Sequence, residues 1–237
     1  MVTKRLIALF IVFCLLFAGC VNVKADSNEN SVPTENAVSE AIKTPDPTAD
    51  EQAESAQIIT PLPDAIMENL TDAILHVSLE EGKVYADDQG IIQMDLAVYT
   101  YDKYDMIDIA NLKIGDTIVR YYGEVEVTSI ERNEHGTVYI NGGLEAEGFE
   151  LVTDDDGIFY ERSFNDSKDW YCVGAVTLQV SIDFVGTDSA DLDLGEVMIY
   201  PEDFMNGEVT NYDFSPYNTT IRVENSQIVE LNRVYIP

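Results

Sequence analysis

A chain of 237 residues with 44 acidic and 13 basic side chains, formal charge −31, repels phosphate backbones and anionic lipid headgroups, which argues against DNA or RNA as a partner. Cations and basic partners are favoured instead, and part of the acidity serves solubility. With 3 cysteines and 2 histidines there is little from which to build a zinc site or a serine triad, both of which need these residues clustered.

Residues 1–19 begin with the basic pair Lys4 and Arg5, continue through an unbroken apolar stretch from Leu6 to Phe17, and end on the small pair Ala18 and Gly19. That three-part pattern is a secretory signal, and its apolar stretch is too short to span a bilayer stably. The run Leu16-Phe17-Ala18-Gly19-Cys20 resembles the lipobox of bacterial lipoproteins, with Phe17 where that family usually has Leu. The resemblance implies a diacylglyceryl group on Cys20, cleavage just before it, and residence on the outer face of a bacterial membrane. An ordinary secretory cut after Ala25, in Val23-Lys24-Ala25, is the competing reading. Removing residues 1–19 takes the basic pair with it and moves the formal charge from −31 to −33.

Residues 20–60 are rich in Asn, Ser, Thr, Pro, Ala and Glu. Such a stretch buries too little apolar surface to offset the entropy of ordering, and it reads as a disordered acidic linker, with Pro45 and Pro47 interrupting any helix. Folded structure is expected over residues 61–237, opening with a short helix at residues 64–70.

From there the apolar pattern has a period of two, the mark of strands with one face inward. Ile92, Met94, Leu96 and Val98 form one such face, with Gln93 and Asp95 opposite. Trp170, Cys172, Gly174, Val176, Leu178, Val180, Ile182 and Phe184 form the longest, and Gly174 is the natural place for a kink. A helical turn is predicted near residues 106–111, turns at residues 113–116, 133–136 and 141–143, and two strands meeting at Gly123. The chain closes with a hairpin about Asn225-Ser226. No internal repeat is visible. The fold class is all-β: a single antiparallel barrel or sandwich domain after the linker, or two small β-modules meeting near residues 153–157.

Candidate chemistry is sparse. His76 falls in an apolar alternating stretch and His135 in a turn, and no G-x-S-x-G elbow accompanies either. Cys172, on the apolar face of a strand, reads as a small buried hydrophobe rather than a nucleophile. Asp154, Asp155 and Asp156 before Gly157, and Asp188, Asp191, Asp193 and Glu196, have the oxygen density calcium takes, but neither run fits the EF-hand spacing. Carboxylate pairs for glycoside hydrolysis can always be found among 44 acidic residues, so their presence says nothing. Tyr99, Tyr101, Tyr121, Tyr122, Tyr139, Tyr160 and Tyr171 lie in or beside strands, several on the face opposite the aliphatic one. Such rings form a platform for sugars or a partner protein, or simply suit half-buried strand positions. Phosphate-cradling signatures are absent.

The expectation is a membrane-anchored extracellular lipoprotein with a non-catalytic ligand- or partner-binding domain. Its membrane contact runs through lipid on Cys20, and it has no catalytic residue, metal or cofactor. A surface hydrolase acting on carbohydrate and a calcium-stabilised module are the alternatives.

Overall fold

The computed structural model describes residues 55–163, 167–209 and 211–236. Cys20, the signal-like segment and all but the end of the expected linker lie outside the described residues. In chain order the elements are β1 (Ile58–Ile59), β2 (Ala73–Ser78), β3 (Val84–Ala86), β4 (Ile92–Thr100), β5 (Lys103–Tyr104), α1 (Met106–Asn111), β6 (Thr117–Arg120), β7 (Gly123–Glu126), β8 (Ile130–Arg132), β9 (Val138–Ile140), β10 (Phe149–Thr153), β11 (Phe159–Arg162), β12 (Tyr171–Ser189), β13 (Val197–Ile199), α2 (Pro201–Met205), β14 (Thr219–Glu224) and β15 (Gln227–Val234).

Five of these strands close on themselves. β2 pairs with β4, β4 with β12, β12 with β15, β15 with β14, and β14 with β2 again. The result is a five-stranded barrel, antiparallel except for the β12–β15 pair. Alternation fills it: Leu75 and Val77 of β2, Met94, Leu96 and Val98 of β4, Leu178 and Val180 of β12, Ile221 and Val223 of β14, and Ile228 and Leu231 of β15 point inward and are buried. Phe204 of α2 and Phe214 belong to the same core.

The long strand β12 makes closure feasible. Its first half pairs with β4 and its second with β15, and the register shifts between Cys172 and Gly174, at the expected kink. A second shift separates Val180 from Val185, where β15 advances only from Ile228 to Glu230. Residues 181–184 therefore bulge out, which places Ile182 at 99% exposure rather than on the inner face its even position implied. Cys172 is likewise exposed, a correction of the buried position read from periodicity: the first register shift turns its side chain outward.

The second module is nested rather than tandem. Residues 101–170, between barrel strands β4 and β12, form the antiparallel sheet β5-β11-β10-β9-β8 and the β6–β7 hairpin. Around Tyr104, Ile109, Ile118, Ile140, Phe149 and Leu151 they build a second core. The expected seam at residues 153–157 is only the turn between β10 and β11. Ile58 and Ile59, assigned by sequence to the linker, pair with Thr117 and Ile118, and Ile59 is buried in this second core. The predicted helix at residues 64–70 is instead a turn, in which Asp64 Oδ1 accepts the Ile66 N–H at 3.0 Å. α1 forms where expected, its first turn capped by Asp105 through the Ile107 N–H. The terminal hairpin also forms as expected, with Asn225 and Ser226 both at positive φ as a two-residue turn of this hand requires.

Candidate functional site

Inward residues of β2, β4 and β12 fix what their neighbours present outward. Reading across the three strands in register, Ser78, Ala97 and Ala175 share one row, and Asp95 and Thr177 the next. Gln93 and Gln179 follow, with Tyr85 of β3 beside Gln93. In the other direction lies a row of His76, Tyr99 and Cys172. The two alanines leave a depression of about 400 Å³, walled by Ser78, Glu80, Lys83, Asp95 and Thr177.

Polar groups at one end are pre-set. Asp95 Oδ1 accepts hydrogen bonds from the Thr177 hydroxyl at 2.7 Å and the Tyr85 hydroxyl at 3.2 Å, and Lys83 Nζ lies 3.9 Å from its other oxygen. Nearer the other end the Tyr99 and Ser78 hydroxyls are 3.3 Å apart.

Beyond that row the rings gather. His76 lies 4.1 Å from Trp170, Trp170 meets Tyr101 edge-on at 4.9 Å, and Tyr101 meets Tyr160 edge-on at 5.8 Å. Lys168 Nζ sits 4.3 Å from the Tyr101 ring and donates to its hydroxyl at 2.9 Å. Among the described residues no carboxylate is within ion-pair reach of this ammonium, although most other cations have one. The His76 Nδ1–H donates to the Pro216 carbonyl at 2.9 Å. Burial pushes the His76 pKa down, the positive charges of Lys168 and Lys103 add to this, and together they outweigh that hydrogen bond. The ring is therefore neutral at pH 7.

A separate group of carboxylates occupies the joint between barrel and inserted module. Asp102 accepts from the Tyr121 N–H at 2.6 Å and the Tyr171 hydroxyl at 3.0 Å, and the Tyr121 and Tyr171 rings stack at 3.8 Å. Glu161 is gripped through both oxygens by Arg120. Its pKa is nevertheless raised, because burial, together with the charges of Asp169 and Asp102, outweighs the guanidinium. Asp169 is raised as well, by burial first and by Asp102, against the pull of Arg120.

Of the residues singled out by sequence, Tyr99, Tyr101, Tyr160 and His76 come together at the end of the trough, and Tyr121, Tyr122 and Tyr171 at the joint. Tyr139 stands apart in the β9 sheet, where its hydroxyl accepts from Asn133. His135 is exposed in its turn beside Glu134. Asp154 serves its turn, accepting from the Asp156 and Ile158 N–H groups. Asp188 is buried against Arg233 and does not join Asp191, Asp193 and Glu196 in a ligand set. Among the described residues no three acidic, histidine or cysteine side chains converge to hold a metal.

Trp170 and Lys168 escaped the sequence reading as site residues. Periodicity puts Trp170 on an inward face, yet it lies just before the register shift and packs on His76 from outside the barrel. Its standing as the chain's single tryptophan was the available signal. Compared with known proteins, the chain matches no family model, no curated protein and no solved structure.

Proposed function

We propose that this chain is a membrane-anchored extracellular lipoprotein whose folded unit is a non-catalytic binding module that holds a saccharide along the outer face of β2, β4 and β12. The observation that carries this reading is the alanine-floored trough. Its floor is small enough for a flat ring to lie on the sheet, one end offers fixed hydroxyl and carboxylate partners about Asp95, and the other offers aromatic faces. That combination is how sugars are held, hydroxyls by polar groups and ring faces by aromatic side chains. Small five-stranded Greek-key barrels of the OB type use the outer face of their second and third strands for oligosaccharides or oligonucleotides. Here the acidic surface disfavours the latter. Topology alone is an analogy and ranks below the geometry of the site.

The test is a titration of neutral oligosaccharides by calorimetry against wild type and Ala97→Trp. Ala97 is outward-facing, so the indole occupies the trough without entering the core. Binding that weakens at least tenfold in the variant supports the reading; unchanged binding, or none by wild type across a broad panel, removes it. The anchor is tested separately: membrane fractionation and intact mass of Cys20→Ala should show loss of a lipid adduct and release of the protein.

The raised pKa of Glu161 and Asp169 favours a second reading, a carbohydrate hydrolase acting at the joint. Arg120 holds both Glu161 oxygens, which leaves neither to deliver a proton, so binding ranks first. Release of reducing ends that Glu161→Gln abolishes would reverse that order.

A further inference from the structure

Away from the trough, the segment from β12 to α2 has an unusual surface. Leu192 and Leu194 are each 68% exposed, Tyr200 54%, Met198 48% and Val185 45%, in addition to Ile182. Register makes part of this one patch: Thr187 faces Met198 across the β12–β13 pair, and Val185 and Tyr200 are the next residues along on the same face. Among the described residues β13 is hydrogen-bonded on one side only, at the end of its sheet. Strand edges are ordinarily guarded by charge, as β7 and β8 are by Glu124, Glu126, Glu131 and Arg132. β13, Val-Met-Ile, carries none.

Charge identifies what covers it. Between Lys168 and Arg222 the chain has no Lys, Arg or His, while Asp191, Asp193, Glu196, Glu202 and Glu208 all lie exposed around the patch or in α2 and the turn after it. Arg233, nearby in the fold, is buried and consumed by Asp188. An apolar edge rimmed by uncompensated carboxylates repels a second copy of itself and an anionic bilayer alike, and attracts a cation.

We infer that the free edge of β13 docks an extended, lysine- or arginine-bearing segment of a partner protein. The segment adds a strand beside Val197, Met198 and Ile199. Its apolar side chains, on alternate positions, lie over Met198 and Leu194, and its cations reach Asp191, Asp193 and Glu196. This surface is distinct from the trough, so the chain could hold ligand and partner together.

The experiment is fluorescence anisotropy of the full-length chain in mild detergent with three labelled twelve-residue peptides, alternating Lys with Val, Lys with Ser, and Glu with Val. The inference requires the Lys-Val peptide to bind at least tenfold more tightly than either other, with affinity falling as salt rises. The double variant Leu194→Lys/Met198→Lys should weaken it tenfold or more. Gln89→Lys/Ala110→Lys adds the same charge at exposed sites elsewhere and should change it less than twofold. Equal binding of the Lys-Ser peptide, equal loss in both double variants, or no binding of the Lys-Val peptide each overturns it. Circular dichroism of both variants should match wild type, since all four positions are exposed.

Discussion

Arg233 and Asp188 join β15 to β12 along the parallel seam that closes the barrel. Arg233 Nε donates to Asp188 Oδ1 at 2.9 Å, its Nη2 to Oδ2, and its Nη1 to the Asn211 carbonyl at 2.6 Å, while its guanidinium lies 4.2 Å from the centre of the Phe214 ring. Arg233 is 3% exposed and Asp188 9%. Asp188→Ala leaves a buried cation with one carbonyl acceptor and a ring, and breaking a buried pair in this way costs about 3–5 kcal/mol. The retained Asn211 and Phe214 contacts place the expected loss near the lower bound, about 3 kcal/mol. Against a urea m-value of about 2–3 kcal/mol/M, the unfolding midpoint should fall by about 1–1.5 M. The double variant Asp188→Leu/Arg233→Met should recover most of it, because an apolar pair of similar volume removes the stranded charge.

The effect should also depend on pH. Burial raises the Asp188 pKa, but the Arg233 and Ala190 hydrogen bonds and the Arg233 charge outweigh burial and hold it below the usual aspartate range. A carboxyl depressed in the folded state stabilises above its unfolded pKa, about 3.9, and that contribution is lost as pH falls through the folded value. The gap between wild type and Asp188→Ala should therefore close only below about pH 3.9. A midpoint shift under about 0.3 M at pH 7, or a gap that closes already at pH 6, would refute the assignment. The exposed Arg222–Glu224 pair is the control, and its removal should leave the midpoint in place.

His76 has a depressed pKa and touches the only tryptophan, so Trp170 emission should titrate with a midpoint below the ordinary histidine value of about 6.5 and stop titrating in His76→Gln. Because the unfolded chain binds that proton first, stability should drop as pH falls from about 6.5 toward the folded pKa; a flat denaturation midpoint over that window would contradict it. In Gly186→Ala the new Cβ would meet the Ile199 carbonyl oxygen at 2.4 Å and Ile199 Cγ1 at 2.7 Å, so the β12–β13 pair must shift at a cost of about 1–3 kcal/mol, seen as a lowered Tm.

Much of the barrel was legible because its strands are buried on one face: period-two runs in β4 and the middle of β12, and the turn residues of the last hairpin, each pointed to one outcome. What escaped lies where the period breaks. Two register shifts turn Cys172 and Ile182 outward, and a bulge leaves no trace in a pattern that counts alternate residues. Ile58 and Ile59 looked like linker because their partners, Thr117 and Ile118, are distant in sequence and too few to form a pattern. The nesting of one module between β4 and β12 was invisible for a related reason, since strand order depends on pairing between distant segments. The tyrosine platform was visible as a set of residues, but its division into a trough end and a joint required the fold.

The trough as a saccharide site is tested most directly by backbone amide chemical-shift mapping while a bound oligosaccharide is titrated in. The largest shifts should fall on Ser78, Asp95, Ala97, Tyr99, Ala175 and Thr177, with the side-chain signal of Trp170 moving in step. Shifts concentrated instead on Asp102, Glu161, Asp169 and Tyr171 would move the site to the joint and contradict it.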